Sequence, residues 1–122
     1  MRILVCDDET LARDRLVRLL RDVPDCEVVG EAENGRDALD KVAVLEPDLV
    51  LLDIRMPVMD GIEFYKIMNT LDNSSTIHIL YSDYDIINYV TEMDLDFYVN
   101  KRFTPKEIEN IIVNENLINK GY

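Results

Sequence analysis

Five short apolar runs divide the chain: ILVC at 3–6, EVVGEA at 27–32, DLVLLD at 48–53, IHILY at 77–81 and DFYVN at 96–100. Each is too short for a helix and rich in Val, Ile or Leu. Segments that are mostly apolar rather than alternating suit strands buried on both faces, as in a parallel sheet. Parallel neighbours cannot be joined by tight hairpins, so each needs a crossover long enough for a helix.

The intervening segments supply those crossovers. After the first run, Ala12, Leu16, Leu19, Leu20 and Val23 form one apolar stripe, with Arg13, Arg15, Arg18 and Arg21 mainly outside it. After the second, Asn34 can cap a helix carrying Ala38, Leu39, Val42 and Leu45, which Pro47 ends. Ile62, Phe64, Ile67, Met68 and Leu71 predict a third helix, and Ile86, Tyr89, Val90 and Met93 a short fourth one. TPKE at 104–107 opens the fifth: Thr104 can cap, Pro105 suits the first helical position, and Glu107 can close a capping box. A strand–helix unit repeated five times predicts an α/β fold. Right-handed crossovers place its helices on both faces of the sheet.

The 122 residues fit one domain, 1–122. With a net charge of −12, direct binding to nucleic acid or an anionic membrane is not expected, whereas cations are favoured. Cys6 and Cys26 show no metal-ligand spacing, and Cys6 belongs to an apolar run. No apolar stretch approaches the roughly 18–20 residues that cross a bilayer, and MRILVCDDE turns acidic too early for a leader. A cytoplasmic location is expected. His78, the single histidine, lies in an apolar run and reads as a core or strand-edge residue. Arginine is common up to Arg55 and then appears only at Arg102, while asparagine becomes frequent after position 60. Chance drift or recombination between relatives would each produce that shift.

The costly groups sit at strand ends. Asp7 and Asp8 follow the first run and Asp53 ends the third. In an open α/β sheet, ligands bind beyond the carboxyl ends of the strands. If these two strands are neighbours, three carboxylates converge. Like charges about 4 Å apart repel by about 4 kcal/mol at an effective dielectric of about 20, so a cation is expected among them. Oxygen-only ligands with no His or Cys nearby select a hard ion, and Mg2+ fits best because it also takes phosphate. Asp7 or Asp53 could instead cap a following helix, but capping gives no reason for all three. A carboxylate beside a metal can act as a nucleophile toward phosphorus. Ser82, after the fourth run, and Lys101, after the fifth, add a hydroxyl and an ammonium at neighbouring strand ends.

With these residues in hand, the chain resembles the receiver domain of bacterial response regulators. The matching pieces are ILVCDDE, VVGEAENGRDAL, PDLVLLDIRMPVMDG, ILYSDYD and FYVNKRF. The first half is most similar to receivers of LytTR-type transcriptional regulators. The resemblance implies a flavodoxin-like (βα)5 three-layer sandwich with a five-stranded parallel sheet, order 2-1-3-4-5. It implies that Asp53 is the phosphoacceptor for a sensor histidine kinase. Asp8 and Asp53 would bind Mg2+ directly, with the backbone carbonyl of Arg55, and Asp7 through water. Ser82 and Lys101 would hold phosphoryl oxygens, and Tyr98 with Ser82 would form the switch. Pro57 and Gly61 match the turn after the acceptor, one fixed in φ and the other free in it. The family is also expected to dimerise on phosphorylation and to join a DNA-binding output domain, which does not fit within this chain.

The resemblance places the switching surface on the fourth helix, fifth strand and fifth helix, and two departures fall there: Arg102 stands where the family has Pro, and Asp83 where it has a small residue. They feed one alternative, a pseudo-receiver that binds partners without phosphate. A Mg2+-dependent phosphohydrolase is a second, but its Asp-x-Asp pairing is missing because residue 55 is Arg. A flavin domain is a third, but DDET is acidic where a phosphate loop should be rich in Ser, Thr and Gly. The chain is therefore expected to be a phosphoacceptor with slow self-dephosphorylation, not a turnover enzyme. The arginines of the first helix would either face the kinase or form a solvated helical face.

Overall fold

A computed structural model describes residues 1–53, 56–70, 77–82, 97–100 and 110, with the backbone alone at 69, 77–82 and 97–100. The element order is β1 (Arg2–Cys6), α1 (Thr10–Arg21), β2 (Glu27–Ala32), α2 (Gly35–Leu45), β3 (Leu49–Asp53), α3 (Gly61–Thr70), β4 (Ile77–Ser82) and β5 (Phe97–Asn100). All pairings are parallel, in the order β2-β1-β3-β4-β5. This is a flavodoxin-like doubly wound sheet. The fourth expected helix, with Ile86, Tyr89, Val90 and Met93, lies outside the described residues. So does the capping box at 104–107; Asn110 within the fifth is helical.

The two faces of the sheet separate by strand parity, since successive side chains point to opposite sides. Ile3, Val5, Leu49 and Leu51 pack with Leu16, Leu20 and Val23, the buried stripe of α1. Leu4, Cys6, Val50 and Leu52 pack on the other side with Ala38 and Val42 of α2 and Phe64 and Met68 of α3. Every residue of β3 is buried. Burying one Leu or Ile side chain contributes about 1.5–3 kcal/mol, so the central strands anchor both layers.

Local chemistry sets the helix ends. Asn34 Oδ1 accepts from the Asp37 N–H at 2.8 Å, the cap read from the sequence. Helix α2 closes at Glu46, which has left-handed φ 48°, just before Pro47. In α3 the buried positions are Gly61, Phe64, Tyr65 and Met68, one stripe at helical spacing. Ile62 and Ile67, expected on that face, are only half-buried, and Leu71 lies outside the described residues. Tyr65 has a polar tip, yet its ring falls on the inward line.

Cys6 is a free, fully buried thiol whose pKa burial pushes far upward. Cys26 is also free, and partial burial raises its pKa. Neither is poised as a nucleophile, because the thiolate is the reactive form.

Phe64→Ala should destabilise the fold by about 3–5 kcal/mol through a cavity in the α2–α3 layer. Ile62→Ala should cost less than half as much. Urea denaturation of the two variants checks the orientation of α3.

Candidate functional site

Strand register brings the acids together. Cys6 pairs with Leu52, so the next residues on each strand, Asp7 and Asp53, arrive side by side. The Asp7 N–H also donates to the Ala32 carbonyl at 3.0 Å, which holds the end of β1 against β2. Asp7 is fully buried and Asp53 is 3% exposed, while Asp8 is open to solvent. One carboxylate oxygen from each of the three lies within 4.8 Å of the others.

A buried carboxylate is costly unless hydrogen bonds or a cation compensate it. Asp7 Oδ1 accepts from the Glu9 N–H at 2.9 Å. That bond turns the chain into α1, but the N-cap of α1 is Glu9, which makes no side-chain cap bond. Asp7 therefore does not replace a helix cap, and neither does Asp53: α3 is capped by Asp60, whose Oδ1 accepts from the Glu63 N–H at 2.8 Å.

The three acids form a donor set of oxygens alone. Ligands around Mg2+ at about 2.1 Å lie about 3–4 Å from one another, so small side-chain rotations would close this cluster on an ion. The open side at Asp8 leaves room for water or phosphate. The residues present thus fit a hard divalent cation.

The loop after Asp53 is fixed by an approach that needs glycine. The Gly35 N–H, at the start of α2, donates to the Met59 carbonyl at 2.8 Å. A Cβ on Gly35 would stand 2.5 Å from that same oxygen, closer than any side chain tolerates. The turn itself is tight, with the Met59 N–H 2.6 Å from the Pro57 carbonyl. Its left-handed residue is Val58, at φ 68°, and Val58 is 82% exposed. Gly61, expected to supply conformational freedom, instead opens α3 and is buried. Met56 turns inward and joins the core.

The other expected residues divide. Ser82 is the last residue of β4, one position beyond Tyr81, the register partner of Asp53. Tyr98 lies on β5 opposite Leu80. Arg55, Lys101, Asp83 and Arg102 lie outside the described residues. The sequence reading also missed a contact. Arg13, grouped with the solvent-facing arginines, turns inward: its Nη1 donates to the Asp7 carbonyl at 2.6 Å, and its Nε lies 3.4 Å from Glu31 Oε1. Arg15, Arg18 and Arg21 are exposed as expected. Arg18 reaches the main-chain carbonyl of Asp14, at 3.3 Å.

A doubly wound sheet with acids at the tips of its first and third strands is the arrangement of a signalling receiver. A model of the response regulator receiver domain matches residues 3–113, and the chain belongs to that family. A protein-glutamate methylesterase/protein-glutamine glutaminase of Desulfotalea psychrophila is 52% identical over 66 residues, covering 54% of this chain and 18% of that protein. The protein of the same name from Pseudoalteromonas atlantica is 34% identical over 113 residues, covering 93% of this chain and 29% of its own length. The chain thus spans less than a third of the curated relatives it matches. The signal receiver domain of the response regulator NarL from Mycobacterium tuberculosis superposes with a TM-score of 0.86. It is 31% identical, with 99% of this chain and 97% of that one covered. No helix among the described residues is long and apolar enough to cross a membrane.

Asp8→Asn should raise the thermal midpoint in EDTA, by relief of repulsion worth about 1 kcal/mol. The same change should remove most of the stabilisation that Mg2+ gives the parent. Thermal melts with and without Mg2+ check both signs.

Proposed function

We propose that Asp53 is the phosphoacceptor of this receiver, with Asp7 and Asp8 completing a Mg2+ pocket, and that residues 1–122 act as one receiver unit. The observation that carries this reading is the convergence of three carboxylate oxygens within 4.8 Å at the ends of β1 and β3. Of the three, Asp53 alone ends the buried central strand β3 and precedes the turn that Gly35 holds in place. The donor is a phosphohistidine of a sensor kinase. An oxygen of the Asp53 carboxylate attacks phosphorus, the P–N bond breaks, the imidazole nitrogen leaves with its electron pair, and an aspartyl phosphate forms. Bound Mg2+ would supply charge neutralisation for the incoming phosphoryl oxygens. Asp8 and Asp53, with the main-chain carbonyl of Arg55, would hold it directly, and Asp7 through water.

Phosphorylation adds roughly −1.5 to −2 charge and strong acceptors to the pocket. Ser82, at the tip of β4, and Lys101, next after the end of β5, are the groups we assign to the new oxygens. Movement of Ser82 vacates space that Tyr98 fills. The surface around β5 then shifts population toward a form that a partner binds. That partner can be a second copy of the chain or an attached output unit. The methylesterase relatives are more than three times as long as the stretch matched here, which leaves length for such a unit in them. The chemistry assigned to these residues is that of a regulatory phosphoacceptor that dephosphorylates slowly. It belongs with the cytoplasmic kinases that face such receivers.

Acetyl phosphate with Mg2+ should label the protein stoichiometrically, and Asp53→Ala should lose the label entirely. Intact-mass measurement with mapping of the modified residue decides this. Equal labelling of the variant would overturn Asp53, and an unlabelled parent would favour a pseudo-receiver. Tyr98→Ala should keep the label while losing phosphorylation-dependent partner binding.

A further inference from the structure

We infer that Arg13 is a positioning residue of the metal pocket, acting through the carbonyl of Asp7. The inference rests on the reading of Asp7, Asp8 and Asp53 as a cation site.

The turn from β1 into α1 carries two of the three acids. Helix α1 has no side-chain cap bond and no acidic residue in its first turn. Among the bonds that hold the turn are the Asp7 N–H to the Ala32 carbonyl, the Glu9 N–H to Asp7 Oδ1, and Arg13 to the Asp7 carbonyl. The Arg13 side chain is 15% exposed and reaches between the β1 turn and β2. Nη1 donates to the Asp7 carbonyl at 2.6 Å, and Nε faces Glu31 Oε1, on the edge strand β2, at 3.4 Å. The carbonyl that it grips belongs to the peptide joining Asp7 to Asp8. Fixing that peptide plane fixes the direction in which Asp8, an exposed residue, leaves the main chain. Arginine suits the task because its planar fork offers donors to two acceptors at once, whereas lysine offers a point charge.

The contact has two consequences of opposite sign. As a positive charge near the acids, Arg13 opposes binding of a cation. As a brace on the turn, it favours binding by holding the ligands in place before the ion arrives. Groups that orient metal ligands in this way are worth about 10–100-fold in metal affinity. The brace is therefore expected to outweigh the repulsion.

Isothermal titration with Mg2+ alone distinguishes the two. The parent, Arg13→Ala and Arg13→Lys are compared, with a thermal melt in EDTA for each. We expect Arg13→Ala to bind Mg2+ about tenfold more weakly. Arg13→Lys should fall between the two, although its charge is intact. A role in charge alone would give tighter binding in Arg13→Ala and unchanged binding in Arg13→Lys, and either result overturns the inference. A merely structural role would lower the melting point in EDTA and leave Mg2+ affinity as in the parent, which also overturns it. Should Arg13→Ala fail to fold, Arg13→Lys carries the same test. A parent that binds no Mg2+ would instead remove the cation site on which the inference stands.

Discussion

The pairing of β1 with β3 governs the rest of the molecule. Because Cys6 lies opposite Leu52, the residues that follow this pair, Asp7 and Asp53, are delivered to one spot. Apolar neighbours bury both strands on both faces, so the carboxylates cannot retreat into water. The packing energy of the central strands is what holds like charges together. A slip of one residue in this register would invert every side chain of β3 and send Asp53 to the other face. The fold and the site are therefore specified by the same contacts.

Around that pair, the neighbouring elements each contribute one fixed point. Strand β2 receives the Asp7 N–H through Ala32. Helix α2 meets the loop behind Asp53 through Gly35. Helix α1 reaches back through Arg13. Helix α3 starts on its own cap at Asp60, which frees Asp53 from that duty. None of these contacts is chemically unusual. Together they hold a short turn on either side of the acids without any covalent constraint, since both cysteines are free.

Much of this was legible in the sequence. The five apolar runs, the Asn34 cap and the acids at strand ends depend on local composition and periodicity, which a single chain displays directly. Three features were hidden for a common reason. Arg13 looked like its neighbours Arg15 and Arg18, and only the tertiary approach of β2 and the β1 turn gives it acceptors. Gly35 directly follows the Asn34 cap, and its missing side chain is required by a loop more than twenty residues away. The turn after Asp53 was read as needing a flexible glycine at 61, but the backbone reverses at Val58. Distances between segments remote in sequence decide such matters, and no local pattern encodes them.

Val58 has a consequence of its own. A β-branched side chain with φ 68° sits in a region that L-residues other than Asn, Asp and Gly seldom adopt. With 82% of its surface in solvent, it gains little packing in return. Asparagine or glycine would relieve strain there without touching the interior. A small label attached at this solvent-facing position, in the loop that follows Asp53, would leave the sheet that builds the pocket undisturbed.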